Sequence, residues 1–272
     1  MNYEKIKIEN QEIALYRKGS GKITIFFVYG QISSIDLLEH QFNGRLSEKF
    51  SIAAIDLPGH GYSSPAKTPE ETYTFPGYAG IISKTVEYLG LKKVIYVGHS
   101  IGGHILLQSS DKLPAMRGLM VFGSTPFKLP PAFDQAFLPH PVSQNLFNAD
   151  ISEDIAQKWV EGVLKTGSQI PEFLPKVIER IDPVSRSVMG ASIANGNLRN
   201  EVELAEKLHF PLAILHGRHD QLINSEYLEQ LNISTSWKNR IHYLEEAGHS
   251  PQWETPDEFN RLIEEYAREV CG

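Results

Sequence analysis

Val94-Ile-Tyr-Val97-Gly-His-Ser100-Ile-Gly-Gly-His-Ile-Leu-Leu107 decides the fold of this 272-residue chain. Val94 to Val97 is a short apolar run, as in a strand covered on both faces. Ile105-Leu106-Leu107 opens a helix. Between them Gly98-His99-Ser100-Ile101-Gly102 fits the pattern G-x-S-x-G, which sets a serine on a strained turn from strand to helix. Flanking side chains there must be tiny or the two elements collide. Gly98 and Gly102 meet that need, and Gly103 allows close packing. The helix start also points its amide dipoles at the serine, which favours negative charge beside it. The same pattern arises by chance in glycine-rich turns, so the strand before it and the helix after it carry the reading.

Working outward, Ile23 to Val28, Ile52 to Ile55, Leu119 to Phe122 and Leu212 to Leu215 are apolar runs of the same kind. They predict a central, mostly parallel sheet. Ile6, Ile8, Ile13 and Leu15 alternate with polar residues, as in a half-exposed opening hairpin. Tyr78, Ile81, Ile82, Val86 and Leu89 make one helical stripe to cover the sheet. A last strand is expected around Ile241 to Leu244. The final helix carries Thr255 as N-cap, Pro256 at the first position, Glu258 completing a capping box, and a buried stripe of Phe259, Leu262, Ile263 and Tyr266. From Ser124 to Leu208 no strand-like run occurs, prolines are frequent, and amphipathic pieces such as Ile155 to Leu164 and Phe173 to Ile181 suggest helices. The expected class is α/β, with a core of residues 1–123 and 209–272 and a helical cap inserted at 124–208.

The composition bounds the partners. Lys+Arg 26 against Asp+Glu 33 gives a net charge of -7, which offers no basic field for nucleic acid or anionic lipid. Cys271 is the one cysteine, so no internal disulfide forms. The amino terminus lacks the apolar stretch of a signal peptide, and no run approaches the roughly 18 apolar residues of a membrane span. The expectation is a cytoplasmic monomer or homodimer with no nucleic-acid or membrane partner.

A serine hydroxyl is a weak nucleophile until a base takes its proton, and that base needs a carboxylate to hold its tautomer. After a turn of this kind the acid and then the histidine follow in chain order. Asp220 follows the run Leu212 to Leu215, and His249 follows the last expected strand, in Ala247-Gly-His-Ser-Pro251. The alternative place for the acid, Gly123-Ser124-Thr125, offers no carboxylate. Taken singly, Asp220 reads as a turn-capping residue and His249 as a surface histidine; with Ser100 they read as a catalytic set. Two donors must face the oxyanion formed by attack. The Ile101 amide is one, and the Gln31 amide, after a bend allowed by Gly30, is the other. His99 and His104 flank the serine and are expected to pack or line the pocket mouth, while His60 reads as a loop residue. His216 and His219 with Asp220 lack a second ligand cluster, so no metal and no cofactor is expected.

Asp56-Leu-Pro-Gly-His-Gly-Tyr-Ser63, Gly98-His-Ser-Ile-Gly-Gly103, His216-Gly-Arg-His-Asp220 and Ala247-Gly-His-Ser-Pro251 together resemble the α/β-hydrolase superfamily over nearly the whole chain. Many members have His-Gly in the oxyanion loop where this chain has Tyr29-Gly30. Asp56 to Gly61 reads by itself as a structural turn. Gly102-Gly-His-Ile105, Met116-Arg-Gly-Leu-Met120 and Gly30-Gln-Ile-Ser-Ser34 are similar to the N-acyl-homoserine-lactone hydrolases of this fold, which quench bacterial quorum sensing. That resemblance implies a small ester or lactone substrate with an apolar acyl group. It implies that Gln31 takes the place of an Asn at the lactone site and Trp159 that of a Tyr touching substrate. The expected substrate contacts are Tyr29, Gly30, Gln31, His99 and Trp159, under a cap whose Phe127, Phe133, Phe137, Phe147, Trp159 and Phe173 supply apolar walls. Rival readings are a general carboxylesterase, a carbon-carbon bond hydrolase with the same triad, and a ligand receptor of this fold with vestigial turnover.

Overall fold

The apolar runs pair side by side. The structure, a computed structural model, describes residues 1–31 and 33–272, and among these eight strands form one sheet. They are β1 (Glu4–Ile8), β2 (Gln11–Lys18), β3 (Thr24–Val28), β4 (Ser51–Ile55), β5 (Val94–His99), β6 (Met116–Phe122), β7 (Leu212–Gly217) and β8 (His242–Leu244). The order is β1-β2-β4-β3-β5-β6-β7-β8, antiparallel from β1 through β2 to β4 and parallel thereafter. The register sets Val28 opposite Gly98 and His99 opposite Phe122. The chain therefore leaves β3, β5 and β6 at one edge of the sheet, where ligands of open α/β sheets bind.

Strand alternation divides each apolar run between two cores. Phe26, Val28, Tyr96, Leu119 and Val121 face one side, with residues of helices α1 (Phe75–Tyr88) and α2 (Ile101–Gln108). Ile25, Phe27, Ile95, Val97, Met120 and Phe122 face the other. Burial on this scale is worth about 1.5–3 kcal/mol for each large side chain.

Between β6 and β7 the chain adds no strand to the sheet. It forms α3 (Glu153–Gly162), α4 (Pro183–Ala194) and α5 (Glu201–Glu206), with shorter turns between them. Val142, Trp159, Val160, Val163 and Leu174 make a separate small core with Leu37 and Leu222. Val202 and Ala205 of α5 instead join the main core, which fixes the end of the insertion to the body. Phe173 to Ile181 folds as two successive 3-10 turns, Leu174–Lys176 and Ile178–Arg180, instead of an α-helix. Pro175 and the β-branched Val177, Ile178 and Ile181 are weak α-helix formers.

After β7 come α6 (Ser225–Gln230) and, beyond β8, α7 (Pro256–Cys271). Phe259, Leu262, Ile263 and Tyr266 of α7 are buried against the second face, as the stripe predicts. Its expected capping box does not form. Thr255 Oγ1 turns back to the Pro251 carbonyl at 3.3 Å, because a preceding helical turn, Pro251–Glu254, presents that acceptor first. No helix among the described residues is long and apolar enough to cross a membrane.

Candidate active site

Ser100 sits at the junction of β5 and α2 with φ 53° and ψ −126°, a left-handed conformation that few non-glycine residues adopt. Hydrogen bonds to its main chain hold it there. Its amide donates to the Phe122 carbonyl at 2.9 Å, and Ser124 Oγ donates to its carbonyl at 2.7 Å. The small flanking residues are required by close approach. A Cβ on Gly102 would stand 2.2 Å from the Val28 oxygen, and one on Gly98 would stand 2.6 Å from Gly103 Cα.

His249 follows β8, and its Nδ1 lies 2.8 Å from Asp220 Oδ2, with both side chains buried. Asp220 Oδ1 accepts from the amides of Leu222 at 2.8 Å and Ile223 at 3.2 Å. Burial pushes the Asp220 carboxyl up, but the charge and hydrogen bond of His249, with His216 and the Leu222 amide, hold it below the ordinary carboxylate range. An ionised carboxylate fixes the proton on Nδ1 of His249 and leaves the lone pair on Nε2. Ser100 and His249 line one cavity of about 730 Å³. Among the described residues Ser100 Oγ has no hydrogen-bond partner, and contacts of this kind often tighten only around a substrate.

Gly123 stands behind the imidazole at φ +55°, where a Cβ would lie 2.9 Å from His249 Cε1 and 3.1 Å from Nδ1. Gly123→Ala is expected to cut kcat about 100-fold by displacing the ring. It should also cost about 1–2 kcal/mol through the backbone strain. Turnover and denaturant unfolding of the purified variant check both effects; unchanged kcat would mean the ring has no need of its present place.

Neither main-chain N–H of Gln31 or Ile101 donates to another described residue. Gly30 has no left-handed φ. A Cβ on it would stand 2.9 Å from Ser100 Cβ, and close approach is what requires glycine. His60, read as a loop residue, is buried, and its Nε2 lies 2.8 Å from the Gln31 carbonyl, anchoring this loop. Ile32 of the loop lies outside the described residues.

Tyr29 is a correction. It does not line the cavity: its ring joins the opposite core, and its hydroxyl donates to Asp56 Oδ1. Asp56 also accepts from Tyr16 Oη at 2.9 Å and the Tyr62 amide at 2.8 Å. That buried carboxylate fits the structural turn expected of Asp56 to Gly61 and draws Tyr29 away from substrate.

Gly30, Gln31, His99 and Trp159 do line the cavity. His99 is neutral: burial first, and then the neighbouring His249, press its pKa down to about 3. Its Nε2 lies 2.9 Å from the His249 carbonyl, and its ring stacks on Phe122 at 4.8 Å. Gln31 Nε2 donates to Ser185 Oγ at 3.3 Å, while its Oε1 is buried without a partner among the described residues. Phe127, Phe133, Phe137 and Phe147 form apolar wall. Phe173 does not; it packs edge-on against Trp253 at 5.3 Å. The sequence reading missed Ser124, although the hydroxyl stood in the segment searched for an acid.

The geometry has close parallels. The N-acyl homoserine lactonase AidH, complexed with N-butanoyl homoserine, superposes with a TM-score of 0.93 at 26% identity, covering 100% of this chain and 98% of that one. The dihydrolipoyllysine-residue acetyltransferase component of the acetoin cleaving system of Cupriavidus necator is 24% identical over 270 residues, 97% of this chain and 68% of its own length. The 2-hydroxy-6-oxononadienedioate/2-hydroxy-6-oxononatrienedioate hydrolase of a Pseudomonas species is 25% identical over 232 residues, 79% of this chain and 76% of its own. The model of the alpha/beta hydrolase family matches residues 30–262, and the chain belongs to that family.

Proposed function

We propose that this hydrolase opens N-acyl-homoserine lactones, the signals of bacterial quorum sensing, through an acyl-enzyme on Ser100. The observation that carries this reading is the likeness to the lactonase AidH over the full chain, insertion included. Residues 124–208 act as a cap on a core of residues 1–123 and 209–272, and the cap supplies much of the apolar wall. His249 Nε2 takes the Ser100 proton as Oγ attacks the lactone carbonyl. The resulting oxyanion is held by the Gln31 and Ile101 amides, each such donor being worth about 2.7–4 kcal/mol of barrier. Collapse breaks the ring C–O bond, and His249 returns the proton to the leaving oxygen. The freed alcohol stays tethered to the acyl group, so water, activated by His249, must attack the ester before the ring recloses. N-acyl homoserine is released. Gln31 Oε1 accepts from the substrate amide, and Trp159 packs against the acyl group.

A carbon-carbon hydrolase of the Pseudomonas type acts on a dioate. The cavity wall here contains no Lys or Arg among the described residues to meet a second carboxylate. The test is proton release at neutral pH from N-acyl-homoserine lactones with butanoyl to dodecanoyl chains, beside p-nitrophenyl esters of the same acids. Rapid opening of lactones is the expected result. Turnover of the simple esters alone would keep the serine mechanism and remove the lactone.

A further inference from the structure

A second histidine-carboxylate pair reaches the cavity through His104, which lines its wall. His104 Nδ1 lies 3.0 Å from each oxygen of Glu201, and the two side chains are 4% and 0% exposed. Glu201 also accepts from Gln108 Nε2 at 2.9 Å and from the Phe127 amide at 3.3 Å. Both Glu201 oxygens stand where they accept from the Nδ1–H tautomer of His104, and in that tautomer Nε2 carries the free lone pair. His104 lines the cavity, its Nε2 has no partner among the described residues, and its ring stands between those of Phe75 at 6.5 Å and Phe127 at 5.1 Å. A histidine needed only as a donor to Glu201 would have no reason to stand in the wall of an apolar pocket.

Position narrows what this nitrogen can meet. His104 lies one helical turn after Ser100, the N-cap of α2, roughly 6 Å farther along the axis, and both residues line the cavity. In an N-acyl-homoserine lactone the third carbon of the acyl chain is five bonds from the carbonyl that Ser100 attacks. An extended chain advances about 1.2 Å per bond, which again gives roughly 6 Å.

We propose that His104, oriented by Glu201, accepts a hydrogen bond from a hydroxyl on the third carbon of the acyl chain, making the enzyme selective for 3-hydroxyacyl lactones. This rests on the lactonase reading. His104 is then a specificity residue and Glu201 its positioning residue. One hydrogen bond to an otherwise unpartnered acceptor should favour the 3-hydroxyacyl lactone about tenfold in kcat/KM over the unsubstituted lactone of equal length. A 3-oxo chain brings a second acceptor to Nε2 and should gain nothing.

The experiment compares kcat/KM for unsubstituted, 3-hydroxy and 3-oxo hexanoyl homoserine lactones in wild type, His104→Phe and Glu201→Gln. In wild type the 3-hydroxy chain should lead by about tenfold. The ratio should fall to near one in His104→Phe and be reduced in Glu201→Gln, and because a ratio is read, general loss of fold or rate does not imitate this. A wild-type ratio near one, a lead for the 3-oxo chain, or a preference that survives His104→Phe overturns the proposal while leaving the lactonase standing. Absence of turnover on all three lactones, with ester turnover retained, removes the lactonase reading and this proposal together. If both variants fail to fold, the wild-type ratio still decides: unity or a 3-oxo lead refutes it, and a 3-hydroxy lead upholds it.

Discussion

Ser100→Ala is expected to lower kcat by roughly 10⁴- to 10⁶-fold while leaving the fold as it is. The two effects separate because of how the residue is held. Its strained backbone is fixed by main-chain atoms, through the bonds to the Phe122 carbonyl and from Ser124 Oγ, and alanine keeps both. Alanine also meets the same left-handed penalty as serine, so no new strain enters. Ser100 Oγ has no partner among the described residues, and its removal orphans no buried group. The melting temperature should then move by no more than about 2 °C, as for a substitution that disturbs no packing or buried pair. What disappears is the hydroxyl proposed as the nucleophile, which lines the same cavity as Gln31, Ile101 and His249. Calorimetry and turnover on both lactones and p-nitrophenyl esters read the two predictions. A folded Ser100→Ala protein with a sizeable share of wild-type activity would remove Ser100 from the mechanism, and with it the acyl-enzyme.

The parts of this site that were legible in the sequence are those written in a short run of residues. The turn at Ser100 shows itself in Gly98, Gly102 and Gly103, although the atoms that exclude a Cβ from Gly102 and Gly103 belong to distant Val28 and Ser124. Asp220 and His249 were found because chain order is itself a constraint in a parallel sheet: each follows a strand, and β7 pairs with β8. The errors arise where orientation depends on a distant partner. Tyr29 adjoins Gly30, but its hydroxyl is drawn off by Asp56, which sequence reading had placed only in a turn. His104 and Glu201 are 97 residues apart, and nothing local in either announces the other. The one available hint was spacing, since a histidine four residues after Ser100 lies one helical turn along the helix that follows the serine. The inserted segment was legible as helical and not as walls. Which of its aromatic residues reach the cavity depends on packing, and Phe173 was lost to Trp253 while Phe133 was kept.

Asp220→Asn is the variant that tests the proton bookkeeping of the site, and it is expected to cut kcat about 10⁴-fold with the geometry nearly intact. An asparagine oxygen can still accept from the Leu222 and Ile223 amides that now bind Oδ1. Its amide nitrogen must then face His249 Nδ1, and because that nitrogen is a donor, the imidazole has to present a lone pair there. The ring proton moves to Nε2, and the base in front of Ser100 is lost although no heavy atom need shift. Stability carries a second signature. The folded carboxyl of Asp220 is held below its ordinary value of 3.8, with His249, His216 and the Leu222 amide together outweighing burial. A depressed carboxyl contributes stability that is present above the unfolded pKa and is lost as pH falls through the folded one. Wild type should therefore exceed Asp220→Asn in unfolding free energy at neutral pH, and the gap should close as the pH is taken below 3.8 toward the folded value. Urea titrations of both proteins across that range measure it. A gap that is constant with pH, or an asparagine variant within about tenfold of wild-type kcat, would mean that Asp220 serves only to cap its turn and that His249 finds its tautomer by other means.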